Sequence, residues 1–174
     1  MMGIQSLLAE KKADIVKEWR NCIIASYPAD GQGFLKKEKS QFGNPVGVVI
    51  SNEIEPLYDE LIKEDGDEKK IAFCLENIIR IRAVQDFKPS QAVSFVLELK
   101  GLVRGTLGGG DSAEMRDFDS RIDQIALLAF DIYSKCRQKL FEIRVSEVKH
   151  QVGRLLERAN LISEVPEYAP GLKK

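Results

Sequence analysis

Few of the residues able to do chemistry stand at productive spacings in this chain. The single histidine, His150, falls on the outer part of a long helical stretch, far from any space a bundle of helices would enclose. It reads as a surface residue, which leaves no imidazole base for a nucleophile–base pair. Gly108-Gly109-Gly110 has no Lys-Ser/Thr behind it and follows no strand, so it is not a phosphate loop. No group of His, Cys, Asp and Glu has metal-ligand spacing, and the carboxylates fall mostly on polar helix faces, where solvation explains them. The sequence therefore carries no signature of an enzyme, a cofactor or a metal. Cys22, Cys74 and Cys136 are widely spaced, odd in number and form no CxxC pair. That suits a reducing cytoplasm with thiols as small core residues; a thiol-based redox sensor is the alternative.

The most unusual segment is Ile79 to Lys100, IRIRAVQDFKPSQAVSFVLELK. Arg80 and Arg82 are separated by about 200° around a helix, so one of them turns toward the packed side or its margin. Arg82 follows Ile78 and Ile79 at helical spacing, and Gln85 continues the same face. A guanidinium there needs a carboxylate, a carbonyl or an anionic ligand, because a buried unpaired charge is heavily penalised. One reading is a charge paired across helices or snorkelling to the edge. The other is a small-molecule or anion site of Arg80, Arg82 and Gln85, which Lys100 joins if the two helices are antiparallel.

The elements that would position these groups are all helical. A first helix, roughly 4–26, places Ile4, Leu8, Ile15, Trp19, Cys22 and Ile23 on one face and stops at Tyr27-Pro28. Ala29–Gly43 reads as irregular, with Phe34 and Phe42 tucked back onto the core. Asn44-Pro45 reads as a cap and first helical residue, and Pro56 should kink or split the helix it opens. Further helices are expected at about 68–86 and 90–106. From Asp111 to Ile162 there is no Pro and a single Gly, which predicts one helix of roughly fifty residues, with Asp111 as its cap and Glu114 completing a capping box. Phe141, Val145, Val148, Val152, Leu155, Ala159 and Ile162 follow one another in alternating steps of four and three. That heptad seam favours two parallel helices wound together.

Length and charge bound the rest. With 174 residues, 30% of them charged, and a formal net charge of −1, the chain fits one domain with an extension, and neither nucleic acid nor an anionic membrane is an obvious partner. No stretch approaches the ~18 apolar residues of a membrane span, and the N-terminus has no apolar signal core. The expected organisation is a helical bundle over 1–140, a coiled coil over 141–162 and a frayed tail over 163–174.

FLKKEKSQFGNPVGVVISNEIEPLYDEL together with IRIRAVQDFKPSQAVSFVLELK resembles the N-terminal sensor domain of RsbR-type co-antagonists, regulatory proteins of the bacterial stressosome. The matching residues are Trp19, Tyr27, Phe34, Phe42, Asn44, Pro45, Gly47, Arg80, Arg82, Ala83, Val84, Gln85, Pro89, Ser90, Phe95 and Lys100, and the likeness covers roughly residues 5–160. The resemblance implies a globin-like bundle of about five helices that binds no haem, dimerises and passes a long helix toward an output domain. Full-length members continue into a phosphorylatable STAS domain, whereas this sequence stops at Lys174 and is expected not to take up the phosphate itself. The expected function is a non-enzymatic cytoplasmic sensor or signalling adaptor. It would be homodimeric through the long helix, with a STAS-domain or other signalling protein as partner.

Overall fold

The computed structural model describes residues 3–37, 43–85, 87–109 and 112–159, and these are helical without a strand. Seven helices follow in order: α1 (Ile4–Glu10), α2 (Lys12–Ala25), α3 (Ala29–Lys37), α4 (Pro45–Leu61), α5 (Glu68–Val84), α6 (Pro89–Leu107) and α7 (Ala113–Arg158). The all-helical class and the long final helix agree with the sequence; the count of helices exceeds the expected five or so. The chain divides between Arg137 and Gln138 into two compact units.

Three expectations need correction within the first unit. The opening helix is two helices, because Lys11 (φ −92°, ψ 7°) leaves helical geometry between them. The stretch after Pro28 is not irregular: α3 forms there despite Gly31 and Gly33. Its start is secured by Gln32, whose side-chain amide donates to Tyr27 O (2.7 Å) and Ala25 O (3.2 Å), carbonyls left free where α2 ends. Within α3 it is Leu35 that is buried, while Phe34 is 53% exposed; Phe42 lies outside the described residues. Third, Pro56 does not split α4. It deprives Asn52 O of its helical donor, but both residues are exposed, so water can take the place of the missing N–H.

Helix starts follow local chemistry. Asn44 accepts from Gly47 N at 2.8 Å with Pro45 in the first turn, as expected, and its amide also donates to Leu35 O at 3.0 Å, tying α4 to α3. Asp67 caps α5 through Lys69 N. At α7 the cap is Ser112, which accepts from Met115 N at 3.1 Å; Asp111 lies outside the described residues. The capping box expected of Glu114 runs to Asp111 and so also lies outside the described residues. Glu114 accepts from Ile4 N at 2.8 Å and so holds the start of α1.

The core gathers around Trp19 of α2, which is fully buried. Its indole N–H donates to Phe95 O at 2.6 Å, and its ring meets Tyr58 edge-on at 6.5 Å and Phe95 at 6.2 Å. Tyr58 buries its ring and donates its hydroxyl to Leu8 O at 3.0 Å. Large aromatic area and a satisfied polar end thus join α1, α2, α4 and α6 at one point. Ile50, Ile54, Leu57 and Leu61 of α4 and Ile71, Leu75, Ile78 and Ile79 of α5 extend the core, and α7 adds Met115, Phe118, Ile122, Ile125, Ala129 and Tyr133. Ion pairs Lys100–Asp123 and Arg104–Asp119 border the contact between α6 and α7.

The turn after α4 is closed by Glu60, a mostly buried carboxylate that accepts from Lys63 Nζ (2.7 Å) and Asp67 N (3.0 Å). The Lys63 bond, then the Asp67 bond, hold its pKa below the usual carboxylate value. Gly66 lies against Glu60 O and the Arg121 guanidinium, with no room for a Cβ.

Candidate functional site

The last turns of α5 bury Ile78, Ile79, Arg82 and Ala83 on one face, so helical spacing alone carries Arg82 into the core, where its exposure is 0%. One nitrogen, Nη2, donates to Ser26 Oγ at 2.7 Å and to Gln91 O at 3.0 Å. Three rings surround the guanidinium carbon: Phe87 at 4.5 Å, Phe95 at 5.5 Å and Tyr27 at 5.6 Å. Tyr27 and Phe87 also meet each other edge-on at 5.1 Å. The cation thus has π faces and two neutral oxygens, and no carboxylate among the described residues forms an ion pair with it. Its Nε and Nη1 have no hydrogen-bond partner. Burial lowers the Arg82 pKa, partly countered by Tyr27 and Glu98. The Tyr27 hydroxyl is pushed up by burial and drawn back by the Arg82 charge.

This knot is tied to α7. Phe87 N donates to Arg82 O at 3.3 Å, and Phe87 O accepts the Tyr133 hydroxyl at 2.5 Å. Arg137 Nη1 donates to Ala83 O at 2.9 Å, near the end of α5. The α5–α6 connection is therefore clasped from the core side by Arg82 and from the α7 side by Tyr133 and Arg137. The last of these is the final residue of the first unit.

The other residues read as a ligand patch stand apart from Arg82. Arg80 is exposed and pairs with Glu76 one turn earlier in α5. Gln85 is exposed at the C-terminal cap of α5. Lys100 pairs with Asp123 of α7 at 2.5 Å. Sequence reasoning missed Ser26, Gln91, Tyr133 and Arg137. Two of these contacts run through backbone carbonyls, Gln91 O to Arg82 and Ala83 O to Arg137, and carbonyls leave no trace in residue type.

No disulfide joins Cys22, Cys74 and Cys136. Cys74 is buried, and burial, then a hydrogen bond to Glu53, push its pKa up to about 12; burial also raises that of Cys22. Raised values keep both as thiols rather than reactive thiolates near neutrality. His150 is exposed on α7.

In the second unit, α7 leaves its apolar residues open: Phe141 is 62% exposed, Val148 57%, Val152 47% and Leu155 62%. Val145 is half-buried and Ala159 exposed; Ile162 lies outside the described residues. No helix among the described residues is long and apolar enough to cross a membrane.

Comparison with known proteins places these features in a family. An uncharacterized protein of Archaeoglobus fulgidus is 23% identical over 138 residues, covering 76% of this chain and 82% of its own length. No solved structure matches. The sequence profile described as the RsbT co-antagonist protein rsbRD N-terminal domain matches residues 13–148. That span takes in Trp19, the Asn44-Pro45 cap, the Arg82 knot and the first turns of the exposed α7 seam, and the chain belongs to this stressosome-related family of sensor and signalling domains.

Proposed function

We propose that the protein is a non-enzymatic, cytoplasmic signalling adaptor of globin-like build, homodimeric through α7. The seam Phe141, Val145, Val148, Val152, Leu155, Ala159 and Ile162 forms a parallel coiled coil in this reading. A change in the packing of the bundle is passed along it to a STAS-domain or other signalling protein. The observation that carries the reading is the exposed apolar seam itself. Four large side chains about half to two-thirds exposed on one helix are costly in water unless another surface covers them. Their heptad spacing suits a second copy of the same helix.

The test is mass in solution, over a range of concentrations, for the full chain and for a truncation ending at Lys139. A dimer that becomes monomeric on truncation supports the proposal. A dimer that survives moves the contact to the bundle, where α7 also exposes Leu127 (69%) and Phe130 (47%). A full-length chain that is monomeric at tens of micromolar refutes transmission through a self-paired helix.

The family resemblance also keeps Arg82, with Arg80, Gln85 and Lys100, as a second reading in which the bundle senses a small anion. The observation favouring it is the buried guanidinium with Nε and Nη1 unpartnered and no ion-paired carboxylate among the described residues.

A further inference from the structure

The exposed seam of α7 has two flanks, and their charges bear on which helix suits it. Alternating steps of four and three set Phe141, Val148 and Leu155 at one seam position and Val145, Val152 and Ala159 at the other. The residues bordering the seam are then Glu142, Lys149 and Leu156 on one side and Arg144, Gln151 and Arg158 on the other. Arg144, Lys149 and Arg158 are exposed, and none forms an ion pair within the described residues. The single acid on these flanks, Glu142, already accepts from the Gln138 amide at 2.9 Å.

A second copy in register fits these flanks poorly. In a parallel pair, a flank residue such as Arg144 faces the residue five further on in the other helix. Arg144 therefore meets Lys149 of the second copy, and by symmetry this like-charge contact occurs twice at the middle of the seam. The favourable contact, Arg137 with Glu142, draws on groups that already have partners, Ala83 O and the Gln138 amide. Gln151 faces Leu156, an uncharged pair. Packing has the same fault. A second copy sets Phe141 against Phe141 and Ala159 against Ala159, the largest and the smallest seam residue each against its like.

We propose that the seam takes a helix of another protein whose own seam is apolar and whose flanks are acidic. This rests on the reading of α7 as one strand of a parallel coiled coil; the self-pair is then a resting state that the incoming helix displaces. Carboxylates on that helix meet Arg144, Lys149 and Arg158, and only Glu142 is set against its like. A strip one seam wide suits another helix rather than a lipid surface, which takes a broader apolar face.

The probes are two labelled three-heptad peptides with an apolar seam of Val and Leu, one with Glu at every flank position and one with Lys. Both carry Ala opposite Phe141 and Leu opposite Ala159. Each is titrated with the full-length protein at low salt and followed by fluorescence anisotropy. The expected result is saturable binding of the Glu peptide, at least tenfold tighter than the Lys peptide and than a scrambled Glu peptide without the seam. The double variant Arg144→Glu, Lys149→Glu should reverse the preference. Its self-pair still sets like charges together, so the reversal reports the flanks and not a changed dimer. Equal affinity for the Glu and Lys peptides, equal binding of the scrambled peptide, or an unreversed preference in the double variant would each overturn the proposal. Tighter binding to phosphatidylglycerol vesicles than to the Glu peptide would overturn it as well. Mass in solution decides self-pairing separately: a monomeric chain that binds the Glu peptide refutes the homodimer alone, and a dimer that the peptide does not enter refutes this proposal alone.

Discussion

Replacing Arg82 by Met separates what the buried charge does for the fold from what it does otherwise. The guanidinium is fully buried, with two hydrogen bonds from one nitrogen and three rings around it. Charge-assisted hydrogen bonds contribute about 1.5–3 kcal/mol each, and a desolvated cation–π contact about 2 kcal/mol. Together they stabilise by roughly 5–8 kcal/mol. Against that stands the effective desolvation of a buried ion, also several kcal/mol, partly offset by Tyr27 and Glu98, with no ion-paired carboxylate among the described residues and with Nε and Nη1 unsatisfied. The two sides nearly cancel. Met keeps most of the stem packing against Phe87 and Phe95 while removing both the bonds and the desolvation penalty. The carbonyl it abandons, Gln91 O, lies within α6 and keeps its place in the helical ladder. Arg82→Met should therefore stay within about 1.5 kcal/mol of the parent. Arg82→Ala leaves a cavity and should lose about 2–5 kcal/mol. Arg82→Lys keeps a buried charge, now a more strongly hydrated ammonium on a shorter stem without the planar face that the three rings surround, and should lose about 3 kcal/mol or more. The assay is urea unfolding followed by far-UV circular dichroism, at fixed protomer concentration because a dimer's stability depends on it. A loss above about 3 kcal/mol for Arg82→Met, at unchanged m, would refute the cancellation and make the guanidinium a net structural element.

Two further outcomes follow from local geometry and titration. Gly66→Ala would drive a methyl into Glu60 O and the Arg121 guanidinium, opening the turn between α4 and α5; a fall of about 1–3 kcal/mol in the same urea assay is expected, and an unchanged midpoint would contradict the tight approach. Alkaline pH should also destabilise the fold. The Cys74 thiol ionises near 9.0 when unfolded and at about 12 when folded, so its contribution is whole below pH 9 and is lost as pH rises toward 12. Lys12, whose pKa is raised by Asp59 and Glu55, and Tyr58, raised by burial, act in the same direction. The urea midpoint should fall above pH 9, less steeply in Cys74→Val; a midpoint that rises there would reverse the sign of the argument.

What could be read from the sequence, and what could not, divides along the range of the forces involved. The Asn44-Pro45 start of α4 was legible because cap and first-turn proline act within four residues. The inward turn of Arg82 was legible in part, because three- and four-residue spacing from Ile78 and Ile79 set it on the packed side or its margin, and the structure puts it in the core. The α3 helix was not. Two glycines lower its propensity, and what restores it is Gln32 reaching back to Tyr27 O and Ala25 O, a side chain acting on backbone groups. Pro56 misled for the opposite reason, since its broken hydrogen bond falls on the exposed side of α4, where it costs little. Asp111 was read as the cap of α7 by type, and it is geometry that shows Ser112 bonded to Met115 N.

The placement of the Arg82 knot bears on how a bundle of this kind could answer a stimulus. A near-balance of opposing terms, each several kcal/mol, makes a site sensitive, because a small change on either side tips it. Trp19 is the contrary case: a large ring and a satisfied N–H both stabilise, so the α2–α6 contact has no competing term to release. Arg82 also touches what α7 holds. Phe87 lies on the guanidinium with its ring and accepts Tyr133 with its carbonyl, and Ala83, next in sequence to Arg82, accepts Arg137. An anion supplied to the knot would strengthen the side that now lacks a partner, and the first hydrogen bonds to feel it would be those that α7 makes in its last turns within the bundle.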